Sequence, residues 1–349
     1  MPKVRILVVD DSVVFRRLVS DELSRDPELE VVATAADGRI ALAKLTRVSP
    51  DLIVLDVVMP VMDGLATLKE IRKTHPRLPV IMFSALTERG AEATLDALAL
   101  GASDYFAKPS DAGGLEGSLR VIRDELVPRI KALCTRPSSR PAPAAGRRSY
   151  SSTEPVRVVA IGASTGGPKA LTEIFANLPA DFPVPILVVQ HMPPMFTHLL
   201  AERLSAQSLI VVREASPGCI LKPGEAWIAP GDYHMIAVKD GLHCRLQTHQ
   251  DPPENSCRPA VDVLLRSVAK VFGAGSLTAI LTGMGRDGLR GCELVREAGG
   301  QILAQDEATS VVWGMPGYVV QAGLADRVLP LSMIASAIVE RVRLARRPT

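Results

Sequence analysis

Two sets of side chains in this 349-residue sequence have the types and spacing of reactive groups. The first is acidic. An apolar run from Val4 ends at Asp10-Asp11, a second reaches Asp56, a third reaches Ser84, and a short fourth ends at Lys108-Pro109. Three carboxylates brought within a few ångströms repel one another and must take up protons or hold a hard cation. Oxygen ligands suit Mg²⁺, which in turn draws in a phosphate donor. Lys108 would neutralise one phosphoryl oxygen and the Ser84 hydroxyl would hydrogen-bond another. Asp56, the central carboxylate, would be free to attack phosphorus. The plainer alternative is that Asp10 and Asp11 merely cap the next helix, since Asp-Asp-Ser is a good N-terminal cap.

The second set is nucleophilic. Gly162-Ala163-Ser164-Thr165-Gly166-Gly167-Pro168 follows an apolar run and precedes a helical pattern. Gly-x-Ser-x-Gly between a strand and a helix is the pattern of a nucleophile elbow, whose glycines permit a strained turn that exposes the serine hydroxyl. Pro168 suits the first helical turn, and the helix N-terminus favours a developing oxyanion. His191 follows the run at 185–190, and Asp287 lies in a glycine-rich turn after the run at 277–282. Ser164 would attack, His191 would act as base and then acid, and Asp287 would orient the imidazole. Backbone N–H groups near Met284 and Thr165 could form the oxyanion hole. A glycine-rich strand–helix turn is also read as a phosphate or nucleotide cradle, although GASTGG lacks the Lys-Ser/Thr of a P-loop. Both readings remain open on the residues alone.

The elements that must position these groups follow from periodicity. Within residues 1–130, runs at 4–10, 31–36, 51–57, 79–85 and 104–109 read as strands, with 3.6-residue spacing between them. Continuously apolar strands imply a parallel sheet covered on both faces. Five such units predict a doubly wound, flavodoxin-like α/β domain with its site outside the carboxyl ends of the strands. Residues 156–349 predict a second doubly wound α/β domain, with strands at 156–161, 185–190, 209–214, 226–231, 277–282 and 301–305 and helices at 168–178 and 259–272. Residues 136–155 contain no Val, Ile, Leu, Met or Phe. They cannot bury enough apolar area to offset their ordering entropy, so 131–155 reads as a basic, Pro/Ser/Ala-rich linker.

Composition excludes several classes. The net charge of +2 divides into −3 for 1–130, +4 for 131–155 and +1 for 156–349. No charge-driven nucleic-acid or membrane surface is expected, and a near-neutral second domain argues against DNA binding. No apolar run reaches 18 residues, so neither a spanning helix nor membrane insertion is expected. The N-terminal run meets two aspartates at once and is no secretory signal. Five scattered cysteines (134, 219, 244, 257 and 292) fit free thiols in a reducing cytoplasm. His243, Cys244, His249, Asp251 and Cys257 form a ligand-rich patch, but at spacings matching no tetrahedral zinc pattern. His234 is expected to hydrogen-bond within its loop. Met192, Met195 and Met284 flank the second crevice.

The acidic constellation, with DDS, D-x-x-M-P-x-M-D-G (56–64), FSA and KP, resembles the receiver domain of two-component response regulators over about residues 1–125. That resemblance implies phosphorylation of Asp56 by a histidine kinase. It further implies Mg²⁺ held by Asp11, Asp56 and the Val58 carbonyl with Asp10 assisting, and a switch pair of Ser84 and Tyr105. The Lys108–Pro109 bond is expected cis. IGASTGGP (161–168), QHMPPMFT (190–197), APGDYHM (229–235), RPAVDVLL (258–265), LTGMGRDG (281–288) and VVWGMPG (311–317) resemble the catalytic domain of the chemotaxis-type protein-glutamate methylesterases. That family hydrolyses glutamate γ-methyl esters on the cytoplasmic helices of chemoreceptors, releasing methanol, and many members deamidate receptor glutamines. The resemblance implies a triad of Ser164, His191 and Asp287, with the Met284 amide in the oxyanion hole and Thr165 lining the site. The ester reaction is expected to need no cofactor. Tyr233 and Cys257 depart from the family, standing where relatives often have basic side chains. The expected protein is a cytoplasmic hydrolase whose receiver inhibits until Asp56 is phosphorylated. The alternative is a receiver-controlled nucleotide- or receptor-binding protein without hydrolysis.

Overall fold

The computed structural model describes residues 2–85, 87–109, 114–134 and 154–344, in two compact units, Met1–Ser138 and Ser139–Thr349. Most of the predicted linker, 135–153, lies outside the described residues.

The first unit is built on β1 (Val4–Val9), β2 (Leu29–Ala35), β3 (Leu52–Asp56), β4 (Val80–Ser84) and β5 (Asp104–Ala107). All pair in parallel in the order β2-β1-β3-β4-β5, as the run of apolar strands predicts. Ile6, Val8, Leu52, Val54, Ile81, Phe83 and Phe106 share one core. The intervening helices are α1 (Val13–Leu23), α2 (Gly38–Val48), α3 (Gly64–Thr74) and α4 (Glu88–Ala99). Their N-terminal amides are capped by the side chains of Ser12, Asp37, Asp63 and Thr87 respectively. Ser12, not Asp10 or Asp11, therefore caps α1, which leaves both carboxylates for other work.

The closing helix runs from α5 (Gly114–Val121) through a π-helical turn (Ile122–Leu126) into α6 (Val127–Cys134). It extends four residues into the segment read as linker. Ile130 is fully buried, and Lys131 pairs with Asp26 and Glu28, so tertiary contacts hold a turn that its own composition does not demand. The Lys108–Pro109 bond is not cis; the cis bond among the described residues is Arg258–Pro259. Lys108 N–H still donates to Ser84 O at 2.7 Å, so the chain leaves β5 in ladder register without the other isomer.

The second unit holds a seven-stranded parallel sheet, β14-β13-β12-β6-β7-β9-β8. Its strands are β6 (Val158–Ala163), β7 (Ile186–Gln190), β8 (Val211–Glu214), β9 (Glu225–Ile228), β12 (Ser276–Ile280), β13 (Gln301–Gln305) and β14 (Arg327–Leu329). Its helices are α7 (Gly167–Ala176), α8 (Phe196–Gln207), α9 (Val261–Phe272), α10 (Leu289–Glu297), α11 (Met315–Gln321) and α12 (Leu331–Leu344). An antiparallel hairpin, β10 (His234–Asp240) with β11 (His243–His249), packs its Met235, Ala237 and Leu246 against Val261, Leu264 and Val268 of α9. The chain crosses from one side of β6 to the other between β7 and β12. Its topological switch point thus lies at the carboxyl ends of β6 and β12, where α/β sheets place their sites.

Candidate functional site

At the carboxyl edge of the first sheet, Asp10 and Asp56 are almost fully buried and Asp11 is exposed. Lys108 Nζ bridges Asp10 Oδ2 at 2.7 Å and Asp56 Oδ2 at 2.8 Å. Burial pushes the Asp56 carboxyl up to about 6; Lys108 pulls it down and Asp10 adds repulsion. Burial opposes the Lys108 ammonium, but the two carboxylates more than offset it and hold Lys108 above its usual range. Asp10, Asp11 and Asp56 each offer an oxygen within 4.8 Å of the others. Buried Asp10 Oδ2 meets the Lys108 ammonium at 2.7 Å, and its other oxygen accepts Ser12 N–H. An all-oxygen donor set of three carboxylates fits a hard divalent cation such as Mg²⁺.

Val58 stands two residues beyond Asp56 with its side chain exposed. The Ser84 hydroxyl is turned to Gly90 O (3.1 Å), away from its expected role toward a phosphoryl oxygen. Tyr105 is buried, which pushes its phenol up, and its carbonyl accepts from Arg129 at 2.9 Å.

In the second unit, Ser164 leaves β6 one residue after Ala163, and His191 leaves β7 one residue after Gln190. Ala163 and Gln190 are register partners, and His191 N–H donates to Ala163 O at 3.1 Å. Ser164 N–H donates to Thr282 O at 3.0 Å, which ties the serine to the chain just past β12. The turn demands its glycines. Gly166 sits at φ 79°, in the left-handed region, and a Cβ on Gly283 would lie 2.8 Å from Ser164 Cβ and 2.4 Å from Met315 Sδ.

Asp287, also just past β12, takes His191 Nε2 on Oδ2 at 2.8 Å. It also accepts the backbone N–H groups of Val261 (2.6 Å), Asp262 (3.0 Å) and Gly288 (3.0 Å), and Asn255 Nδ2 (2.9 Å). Burial opposes its charge, but these donors and His191 outweigh it and hold the carboxyl below its usual range. The carboxylate thus stays ionised and fixes the imidazole. For His191 burial again opposes charge, yet Cys257 and Asp287 outweigh it and push the ring up to about 10. The fold therefore brings all three proposed triad residues to neighbouring strand ends. Among the described residues, the Ser164 hydroxyl makes no hydrogen bond to His191, whose two ring nitrogens face Asp287 and Cys257.

Thr165 is buried with its carbonyl accepting from Thr282 Oγ1 (2.9 Å), and the Met284 amide donates to no acceptor among the described residues. The N-terminus of α7, with Pro168 in its first turn, lies beside them. Three contributors escaped the sequence reading of this site: Asn255, Asp262 and the Cys257–His191 contact. Asn255 Nδ2 links Asp287 to Asp262 Oδ2 (2.8 Å), and burial pushes Asp262 up to about 6. His234 is a strand residue, buried, with Nδ1 accepting Ala260 N–H and Nε2 on Pro252 O, a holding role in keeping with the expected one. All five cysteines are unpaired, and no zinc-like cluster forms at the His243–Cys257 patch among the described residues. Met192 is buried and Met195 is 40% exposed.

Residues 159–338 match the CheB methylesterase family, and residues 6–120 match the response regulator receiver domain. The chain is 55% identical over 351 residues to the protein-glutamate methylesterase/protein-glutamine glutaminase of Trichodesmium erythraeum, covering 98% of this chain and 100% of that one. A protein of the same name from a Nocardioides species is 50% identical over 353 residues, covering 98% and 96%. The solved CheB methylesterase catalytic domain of Thermotoga maritima is similar with a TM-score of 0.52 and 43% identity, covering 54% of this chain and 99% of that domain. With a receiver sheet that ends in Asp10, Asp11 and Asp56 and a second sheet that ends in Ser164 and His191, this chain belongs to the CheB methylesterase family.

Proposed function

We propose that the chain hydrolyses glutamate γ-methyl esters on the cytoplasmic helices of chemoreceptors and deamidates selected receptor glutamines, under control of its own receiver. The observation that carries this reading is the 2.8 Å His191–Asp287 bond set beside Ser164 at adjacent parallel strand ends. Because Asp287 only accepts, His191 Nε2 keeps its proton and Nδ1 is the basic nitrogen. Nδ1 takes the Ser164 proton as Oγ attacks the γ-carbonyl, and the Met284 and Thr165 amides receive the oxyanion. The imidazolium then gives its proton to the leaving methoxide, or to the leaving amine in deamidation. Water, activated by the same nitrogen, releases the acyl group from Ser164 as a glutamate carboxylate.

In the receiver, Asp56 accepts a phosphoryl group from a histidine kinase, and Lys108 neutralises a phosphoryl oxygen. Mg²⁺, held by Asp10, Asp11, Asp56 and the Val58 carbonyl, would offset the charge of donor and acceptor. Ser84 turns from Gly90 toward the new oxygens and, with Tyr105, reports phosphorylation. The ester reaction itself is assigned to protein groups alone. Among the described residues no helix is long and apolar enough to cross a membrane, and a cytoplasmic setting suits the proposed substrates.

The test is methanol release from methylated receptor by Ser164→Ala. Release should fall by about 10³-fold or more while receptor binding survives. Retained hydrolysis rejects the serine route. Loss of binding with no hydrolysis in the unaltered protein would favour a binding module instead.

A further inference from the structure

The basic nitrogen of His191 already has a partner, and it is not the serine. Nδ1 lies 3.5 Å from Cys257 Sγ, while Nε2 is committed to Asp287. Cys257 closes a four-residue turn whose ends exchange backbone hydrogen bonds, Glu254 N–H to Cys257 O at 3.1 Å and Cys257 N–H to Glu254 O at 2.9 Å. Both central residues, Asn255 at φ 53° and Ser256 at φ 62°, occupy the left-handed region, as a mirror-image hairpin turn requires. Asparagine tolerates that conformation; serine lacks glycine's freedom and holds it at some strain. The same turn sends Asn255 Nδ2 to both Asp287 and Asp262. One tight turn thus touches both members of the His–Asp pair.

We propose, resting on the triad reading above, that the Glu254–Cys257 turn is a clamp on this pair, with Cys257 a positioning residue that occupies Nδ1 of His191 until substrate engages Ser164. Thiol and serine hydroxyl compete for one lone pair. With the thiol bonded to Nδ1, the lone pair that must take the serine proton is occupied. The charged or titratable groups facing the ring are Asp287 from the turn after β12 and Cys257 from the turn before α9. Asp262, in the first turn of α9, stands behind Asp287, and Glu254 faces Asp262. Burial alone would disfavour the imidazolium, so its stabilisation here depends on Cys257 and Asp287 together. Removing the sulfur lowers the pH at which the base becomes free.

The test uses the full-length protein and methylated receptor, with methanol release followed across pH for the unaltered protein, Cys257→Ser and Cys257→Ala. Cys257→Ser keeps the size of the side chain and guards against a folding defect in the alanine variant. The acid limb of kcat/KM should move to lower pH by about one unit or more in both, the effect of removing one opposite charge within 4–6 Å. Iodoacetamide, which transfers its carbamidomethyl group to the thiolate with loss of iodide, should inhibit the unaltered protein and spare Cys257→Ser. An unmoved acid limb in both folded variants, or equal inhibition of Cys257→Ser, overturns the clamp while leaving the triad intact. Hydrolysis that survives Ser164→Ala and disappears in Cys257→Ser makes Cys257 the nucleophile, and overturns the triad reading itself.

Discussion

Burial of Asp56 beneath the carboxyl edge of the first sheet holds its carboxyl near 6, against 3.8 for the free group, and Lys108 offsets that burial only in part. A carboxyl whose folded value is raised binds its proton more tightly in the native state than in the unfolded chain. It therefore favours the fold below about pH 4, and that contribution is lost as pH rises through 6. Asp56→Asn is accordingly expected to stabilise the first unit by about 1–2 kcal/mol at pH 8, after discounting for partial solvent screening, and by little at pH 4. Urea melts at the two pH values measure this, and an unchanged or lower midpoint at pH 8 contradicts it. The same substitution should abolish any response to a phosphoryl donor. The strand-end positions of Asp10, Asp11, Asp56, Lys108, Ser164 and His191 were legible in the sequence because each ends or follows an apolar run. Asn255 and Cys257 were not legible in these roles. Their partners Asp287 and His191 lie 32 and 66 residues away, with no periodic signal between them.

Helix α9 depends on a residue outside itself. Ala260, its preceding residue, offers no side-chain cap, and the N–H groups of Val261 and Asp262 go to Asp287 instead. Asp287 is thus both the carboxylate bonded to His191 and the anion at a helix N-terminus. Asp287→Ala should destabilise the second unit by about 2 kcal/mol in addition to removing activity, because it leaves buried amides unpaired. Ser164→Ala, which breaks no such bond, should leave the melting midpoint within about 0.5 kcal/mol of the unaltered protein. Equal destabilisation by both would refute the capping role. The β10–β11 hairpin escaped the sequence reading for a related reason. Met235, Ala237 and Leu246 face inward while Asp240, His243 and Gln247 face out. That alternation marks a one-sided ribbon, not the continuous apolar runs of a buried parallel sheet. Strand β14, three residues long, is too short to carry a pattern.

At the scale of the whole chain, the proposed control requires phosphorylation in one unit to change chemistry in the other. A receiver that hinders the second crevice when unphosphorylated needs a coupling of only ~1.4–3 kcal/mol to give about 10–150-fold activation. A fragment of residues 156–349 should therefore release methanol faster than the unphosphorylated full-length protein. Its independent folding is supported by the two-unit division and by the solved Thermotoga maritima catalytic domain. Acetyl phosphate should raise the full-length rate toward that of the fragment and leave the fragment unchanged. A fragment no faster than the full-length protein rules out an inhibitory receiver. The net charge of +2 conceals this division, since an acidic first domain and a near-neutral second are summed with a basic segment.

What the sequence by itself determined is the order of apolar strands, the polar residues at their carboxyl ends, and hence both sheets and the groups that gather at their edges. A parallel strand buried on both faces needs an unbroken apolar run, and the first polar residue after it has no place to go but the crevice. Tertiary structure alone decided the rest: that Ser12 rather than Asp10 caps α1, that the closing helix reaches Cys134, and that Asp287 caps α9. It also decided that the thiol of Cys257 meets His191. Each of these rests on side-chain contacts across a tight turn or between distant segments. Such contacts are set by packing in three dimensions and leave no period in one.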